Sequence, residues 1–266
     1  GGVSSEEGRR LSSAPSAGAE GAVPDGGGTT RAPSGAPTAA VSHMVDDALA
    51  GALARWRHNA TAGAALDGDL SSWDVSHVSN WTAAFRGADG FNADLSSWDV
   101  SGGTTVAYFL AYAANFNGDL SGWDVSRVRS TEGLFKGASG FDGDLAGWDV
   151  SGVTEFSHTF SGATVFNGDV STWDVSNGRN MRRMFSAALS FDQDISRWAV
   201  GKVSDMSFMF TNCSNFNQDI SEWNVGRVSF MNHVFARASN FNQNIFKWNV
   251  TSVKRRNKMF FFGHKF

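Results

Sequence analysis

The chain has 266 residues, of which 13% are aromatic, with 22 phenylalanines and 10 tryptophans against 2 tyrosines. Such an excess of apolar rings is typical of buried positions. One cysteine excludes an internal disulfide framework, and no apolar run approaches the roughly 18 residues of a membrane-spanning helix. An excess of acidic side chains, with a formal net charge of −4, argues against nucleic-acid binding.

Residues 1–42 are rich in Gly, Ala, Ser and Thr and contain all four prolines of the chain. Such a composition buries too little apolar surface to offset the entropy of ordering, so a disordered leader or linker is expected. Because the sequence begins at Gly1 rather than Met, we expect a fragment or a chain from which a targeting peptide has been removed.

Residues 43–65 are expected to cap the first repeat. Within them, residues 43–58 place apolar side chains at spacings of three and four, which predicts an amphipathic helix. Ser42 is a suitable N-cap residue for this helix. Since the end units of a repeat stack need covering, the helix is interpreted as an N-terminal cap.

From residue 66 to residue 266 the chain repeats every 25 residues. The repeat is marked by one tryptophan in each unit, at Trp73, Trp98, Trp123, Trp148, Trp173, Trp198, Trp223 and Trp248. A fixed period of this length is the signature of stacked repeats. In the unit 116–140, leucine-rich-repeat spacing runs through Leu120, Trp123, Val125 and Val128, followed by helical spacing from Val128 to Ala138. Each unit is therefore expected to form a short strand, a turn, a short helix and a return.

Three segments carry a resemblance to a known family: Phe216–Trp223, Trp123–Val128 and Met206–Phe210. Their strings, FNQDISEW, WDVSRV and MSFMF, resemble the 25-residue repeats of the BspA-like leucine-rich-repeat surface proteins. The resemblance covers residues 66–260. It implies a right-handed, leucine-rich-repeat-like α/β solenoid of eight units, located at a cell surface or secreted. It also implies adhesion or protein binding, with no catalytic residues or cofactor.

Two series of aspartates recur with the repeat. The first, here called the motif column, lies in an [Asn/Asp]-x-Asp motif and comprises Asp69, Asp94, Asp119, Asp144, Asp169, Asp194 and Asp219. One interpretation is structural, with side chains that accept backbone N–H bonds in Asx turns. The alternative is calcium held between neighbouring units, with Asp69, Asp94, Asp119, Asp144 and Asp169 as ligands.

The second series, here called the acidic column, comprises Asp74, Asp99, Asp124, Asp149 and Asp174. Between two inward-pointing residues such as Trp123 and Val125, each aspartate is expected to point outward, onto the concave face. Like charges at strand spacing repel one another. The column is therefore either a solvated face or a binding surface for a basic partner.

Charge is distributed unevenly along the repeats. Residues 66–175 contain 15 acidic and 4 basic side chains, a net charge of −11, whereas residues 176–266 contain 5 acidic and 13 basic, a net charge of +8. One explanation for this charge difference is sequence drift between the repeats, without a function. The other is docking by charge, either of an acidic partner at the C-terminal half or end to end between copies of the chain.

The C-terminal segment combines basic and aromatic residues without an amphipathic capping helix. Its candidates for docking a partner are Lys254, Arg255, Arg256, Lys258, Phe261 and Phe262. The alternative is that these rings fold back as a crude cap over the last unit.

Catalytic signals are missing from the sequence. The six histidines are scattered without metal-ligand spacing, and there is no phosphate-binding glycine loop or nucleophile elbow. Cys213 occupies the position of Ala138 and Ala163 in the repeat, which indicates a small core residue. The sequence therefore predicts a non-catalytic protein-binding module at a cell surface or secreted. The alternative is an accessory subunit of a larger assembly, organellar or membrane-associated.

Overall fold

The computed structural model describes Leu70 and residues 73–260. The chain divides into two compact units, Gly1–Gly35 and Ala36–Phe266, and every described residue belongs to the second. The expected leader, the expected capping helix, Asp69, Phe261 and Phe262 lie outside the described residues. Each 25-residue unit is called a coil below, counted from coil one at residues 66–90.

Turns and isolated parallel bridges make up the described coils. In coil three, turns lie at residues 121–122, 126–127, 132–137 and 139–140, and the other coils follow the same scheme with small differences. Between residues 73 and 260 the structure forms no α-helix and no strand longer than a single bridge. The bridges join equivalent residues of neighbouring coils, in the order Asn80, Thr105, Ser130, Glu155, Asn180, Asp205, Phe230 and Arg255. Successive coils therefore lie side by side and in register. Of the described residues, none belongs to a helix long and apolar enough to cross a membrane.

Backbone hydrogen bonds in residues 131–138 alternate between two directions. The N–H groups of residues 131, 133, 135 and 137 donate to carbonyls of residues 155, 157, 159 and 161 in the following coil. The N–H groups of residues 134, 136 and 138 instead donate three residues back within their own coil. Gly133 and Gly137 make this possible, since both have a positive φ. Equivalent residues in other coils, such as His158 and Arg183, share this left-handed conformation.

The short helix expected between Val128 and Ala138 is replaced by these tandem turns. An α-helix sends every N–H four residues back, and a left-handed residue every fourth position interrupts that pattern. Tandem turns place Thr131, Leu134 and Phe135 inward at spacings of three and four, which helices also show. The pattern in the sequence was therefore compatible with both structures. The α/β leucine-rich-repeat-like class stays a prediction.

One apolar core runs through all described coils, and each register position contributes one column of side chains. Trp123 and Val125 are buried and Asp124 between them is exposed, as the alternation in the sequence predicts. Cys213 is also buried, as expected, and its thiol lies 3.0 Å from the carbonyl oxygen of Ala188.

The repeated tryptophans stack on one another along the core. From Trp123 to Trp248, neighbouring rings have centroids 6.3–6.5 Å apart and planes within 3° of parallel. Each indole N–H also donates to a backbone carbonyl 28 residues earlier, in the preceding coil, at 2.8–3.0 Å. The seven donors are Trp98, Trp123, Trp148, Trp173, Trp198, Trp223 and Trp248. A phenylalanine in this column would fill similar space but leave each carbonyl without that donor.

Glycine replaces valine at positions 103 and 178, a change that predicts looser coils. The structure nevertheless keeps the turn and its packing at both positions. The N–H groups of Gly103 and Gly178 make the same turn bond as valine, at 2.8 Å. The Trp81 ring and the end of the Met181 side chain lie within 3.1 Å of where a Cβ would stand on the two glycines. Larger neighbours thus fill the space that the missing side chains leave.

We predict that Trp148→Phe lowers the free energy of unfolding more than Trp81→Phe does. Both rings are buried, but the Trp148 indole N–H bonds to the Leu120 carbonyl, whereas the Trp81 indole N–H has no partner. The Leu120 carbonyl keeps the Trp123 N–H as a donor, so loss of the indole bond should cost about 0.5–1.5 kcal/mol, and the two variants should differ by that amount in chemical denaturation. Equal destabilisation by the two substitutions would show that the indole hydrogen bond adds nothing beyond packing.

Candidate functional site

The acidic column is a line of carboxylates on the outside of coils one to five. Asp99, Asp124, Asp149 and Asp174 are exposed, and Asp74 is partly buried. In each, Oδ1 accepts the backbone N–H of the serine two residues later, at 2.9–3.1 Å. These Asx turns fix the direction of every carboxylate relative to its own coil. Placement on a concave face stays a prediction.

The electrostatics of the acidic column favour the ionised form. Hydrogen bonds from the Ser126 hydroxyl and backbone N–H lower the pKa of Asp124, and Ser151 lowers the pKa of Asp149 in the same way. The neighbouring Asp149 charge acts on Asp124 in the opposite direction but is the smallest contribution. Both carboxylates are therefore charged at neutral pH.

Coils six to eight lack acidic residues at this register position, which is occupied by Ala199, Asn224 and Asn249. The Asn224 Oδ1 accepts the Gly226 N–H at 3.2 Å, and Asn249 makes the same bond with Thr251. An uncharged amide therefore builds the same turn. Since the turn does not need the charge, the five carboxylates can be exchanged for amides without removing the local hydrogen bond.

The motif column forms Asx turns, as the structural interpretation of the sequence predicts. The Oδ1 atoms of Asp94, Asp119, Asp144, Asp169, Asp194 and Asp219 accept the N–H two residues later at 2.8–3.0 Å. The preceding Asn or Asp of each motif joins neighbouring coils, as where Asn92 accepts the Asn117 N–H at 2.9 Å. Throughout the described part of the chain, no group of three or more His, Cys, Asp or Glu side chains is arranged to hold a metal ion. The calcium alternative remains a prediction without a preformed ligand cluster.

Two described histidines lie in the left-handed register position, His158 and His233. Burial, followed by the charges of Lys136, Arg183 and Arg182, lowers the pKa of His158 to about 4. It is therefore neutral at physiological pH. His233 stacks on Phe208, with centroids 4.9 Å apart, so its ring packs along the column between coils.

The last coil exposes apolar surface that the sequence analysis did not single out. Phe246 is 97% exposed, although the equivalent residues of earlier coils are Ser or Ala. Beside it lies a cavity of about 910 Å³, lined mainly by apolar residues that include Trp248 and Met259. Comparison of the register positions reveals this departure directly, because Phe246 is the one aromatic residue at its position from coil one to coil eight.

The predicted C-terminal docking residues are accessible where they are described. Lys254, Arg255, Arg256 and Lys258 are exposed, and Phe261 and Phe262 lie outside the described residues. Arg256 also lines the cavity beside Phe246. Basic and apolar surface thus meet on coil eight, whereas the acidic column ends at coil five.

Comparison with known proteins identifies the repeats. A family model described as "Mycoplasma protein of unknown function, DUF285" matches residues 56–172, 140–236 and 197–266. These overlapping matches extend over about four fifths of the chain. Searches of curated proteins and of solved structures found no match. The family description does not mention the BspA-like proteins, so that finer resemblance stays a prediction. The chain belongs to this repeat family, described as a Mycoplasma protein of unknown function, DUF285.

Proposed function

We propose that the protein is a non-catalytic binding scaffold at a cell surface or in the surrounding medium, which holds a basic protein partner through the acidic column. The observation that carries this proposal is the line of carboxylates at Asp74, Asp99, Asp124, Asp149 and Asp174, each held by its own Asx turn. The resemblance to BspA-like surface proteins supports the adhesion-type role.

The fold does not need the negative charge of the acidic column. Neighbouring coils at parallel-bridge spacing, about 4.8 Å, bring equal charges close enough to repel. Asn224 and Asn249 form the same turn with a neutral amide, so the turns of coils one to five do not require the negative charge of their carboxylates. A basic partner would relieve the repulsion, and the preorganised carboxylates would lose little conformational freedom on binding.

We predict that the triple variant Asp99→Asn, Asp124→Asn, Asp149→Asn loses its basic partners while keeping its stability. The substitutions remove three exposed charges but retain an acceptor for each serine N–H, so unfolding should shift by less than about 0.5 kcal/mol. The measurement is quantitative mass spectrometry of proteins captured from the surface and medium of the source cells at low salt. Capture of basic proteins should fall about tenfold, because three exposed charge pairs at about 0.5 kcal/mol each amount to roughly 1.5 kcal/mol.

The matched control is Asp94→Asn, Asp119→Asn, Asp144→Asn in the motif column. It removes the same charge from equivalent Asx turns, and Asn244 already makes that turn with the Phe246 N–H. Capture should survive in the control. If both triple variants capture the same proteins as the natural sequence, the acidic column is a solvated face and the proposal fails.

A second candidate function is an accessory subunit that docks through coil eight into a larger assembly, organellar or membrane-associated. The exposed Phe246 beside the cavity favours it, together with the cations Lys254, Arg255 and Arg256. An aromatic anchor surrounded by basic residues is typical of a binding hot spot. End-to-end association of copies, basic end against acidic end, would use the same surface.

For this candidate we predict that Phe246→Ser releases the protein from its assembly. Serine is the residue at the equivalent Ser196 and Ser221, so the coil itself should tolerate the change. Native mass measurement of protein purified gently from its source should show a complex for the natural sequence and the free chain for the variant. A free chain for both, at low and at high salt, would reject the subunit role.

A further inference from the structure

A second surface, distinct from the acidic column and from Phe246, carries cations without carboxylates. It follows two register positions, those of Arg227 and Ser229, along the outside of the coils. Neither position holds Asp or Glu in any of the eight coils. In coils five to eight these positions supply Arg179, Lys202, Arg227 and Lys254, one cation per coil and all exposed. This set is called the basic strip.

The basic strip borders a shallow groove of about 680 Å³ that spans coils six to eight. Three of its cations line the groove together with hydroxyl groups, and the charged and hydroxyl residues include Lys202, Arg227, Lys254, Ser204, Ser229 and Ser252. No acidic or aromatic side chain of the described residues lines it. The groove therefore presents cations, neutral hydrogen-bonding groups and the apolar side chain of Val253 to a ligand.

Carboxylates do not neutralise these cations. Among residues 73–260, none of the four forms an ion pair with a carboxylate, and the Lys202 ammonium donates instead to Asn177 Oδ1 at 2.7 Å. Lys247 on the same coil as Lys254 behaves differently, because it pairs with Glu222. The acidic column also ends where the strip becomes continuous, since its position holds Ala199, Asn224 and Asn249 in coils six to eight. The positive potential of these cations is therefore available to a negatively charged ligand.

We propose that the groove binds a linear sulfated polysaccharide. One cation in each of four successive coils suits a polymer whose negative groups recur along its length. Charge-assisted hydrogen bonds from Lys and Arg to sulfate oxygens are among the stronger polar contacts. Serine hydroxyls beside the cations match the hydroxyl groups of sugars. Single-stranded nucleic acid fits less well, because its binding grooves rely on aromatic side chains on which bases stack, and none lines this groove.

The test uses the full chain and a fluorescent heparin-derived octasaccharide, with binding followed by anisotropy at several salt concentrations. Arg227→Gln with Lys254→Gln should weaken binding about tenfold or more and reduce its dependence on salt, because two sulfate contacts and their counterion release are lost. The matched control, Arg197→Gln with Lys247→Gln, removes the same charge outside the groove and should weaken binding by about twofold or less. All four side chains are exposed, so the melting temperature should not distinguish the two pairs.

Three outcomes would overturn the proposal. Equal weakening by the two variant pairs would indicate a diffuse charge effect, and equal binding of the desulfated octasaccharide would remove the role of sulfate. Tighter binding of a single-stranded oligonucleotide or an acidic peptide of matched charge would assign the groove to another class of ligand. None of these variants touches the acidic column, so the result is independent of the binding function proposed for that column.

Discussion

The hydrogen bond from each tryptophan indole to the carbonyl of the preceding coil is the interaction on which the stack depends. It joins residues 28 positions apart, as between Trp148 and Leu120, and therefore fixes which coil faces which. Parallel indole planes at 6.3–6.5 Å agree with that register, and so do the bridges between equivalent residues of neighbouring coils. Buried aromatic area stabilises the stack without selecting an alignment, whereas the indole N–H, together with the backbone hydrogen bonds between coils, selects one.

Because the buried residues determine how the coils stack, the exposed positions are free to differ between coils. Turns are closed by backbone bonds and by Asx side chains that are either charged or neutral, as Asp124 and Asn224 show at one register position. Charge can therefore change along the stack without changing the coil. Carboxylates occupy the acidic column up to coil five, and the basic strip becomes continuous from coil five to coil eight. Two surfaces of opposite sign on one stack are the basis of the two separate binding functions proposed above for the acidic column and the basic strip.

The sequence predicted the features that depend on one residue type at one register position. Period, inward tryptophans and valines, outward aspartates, the Asx turns and the buried Cys213 all follow from local chemistry. Tandem turns between Val128 and Ala138 could not be separated from a helix, because both place inward residues three and four apart. The acceptor of each indole N–H could not be predicted either, because Trp148 and Leu120 come together only when neighbouring coils align. The groove beside Arg227 could not be predicted for the same reason, because residues from four register positions in three coils line it.

Hydrogen exchange at the indole N–H groups, followed by NMR, tests the central claim most directly. The account predicts that seven indole protons, from Trp98 to Trp248 in the repeat, exchange slowly because each is buried and bonded to a carbonyl of the preceding coil. Selective replacement of each tryptophan would assign the signals. Indole protons of the middle coils that exchange as fast as those of exposed tryptophan would contradict the account, because the indole hydrogen bonds between coils would then not form.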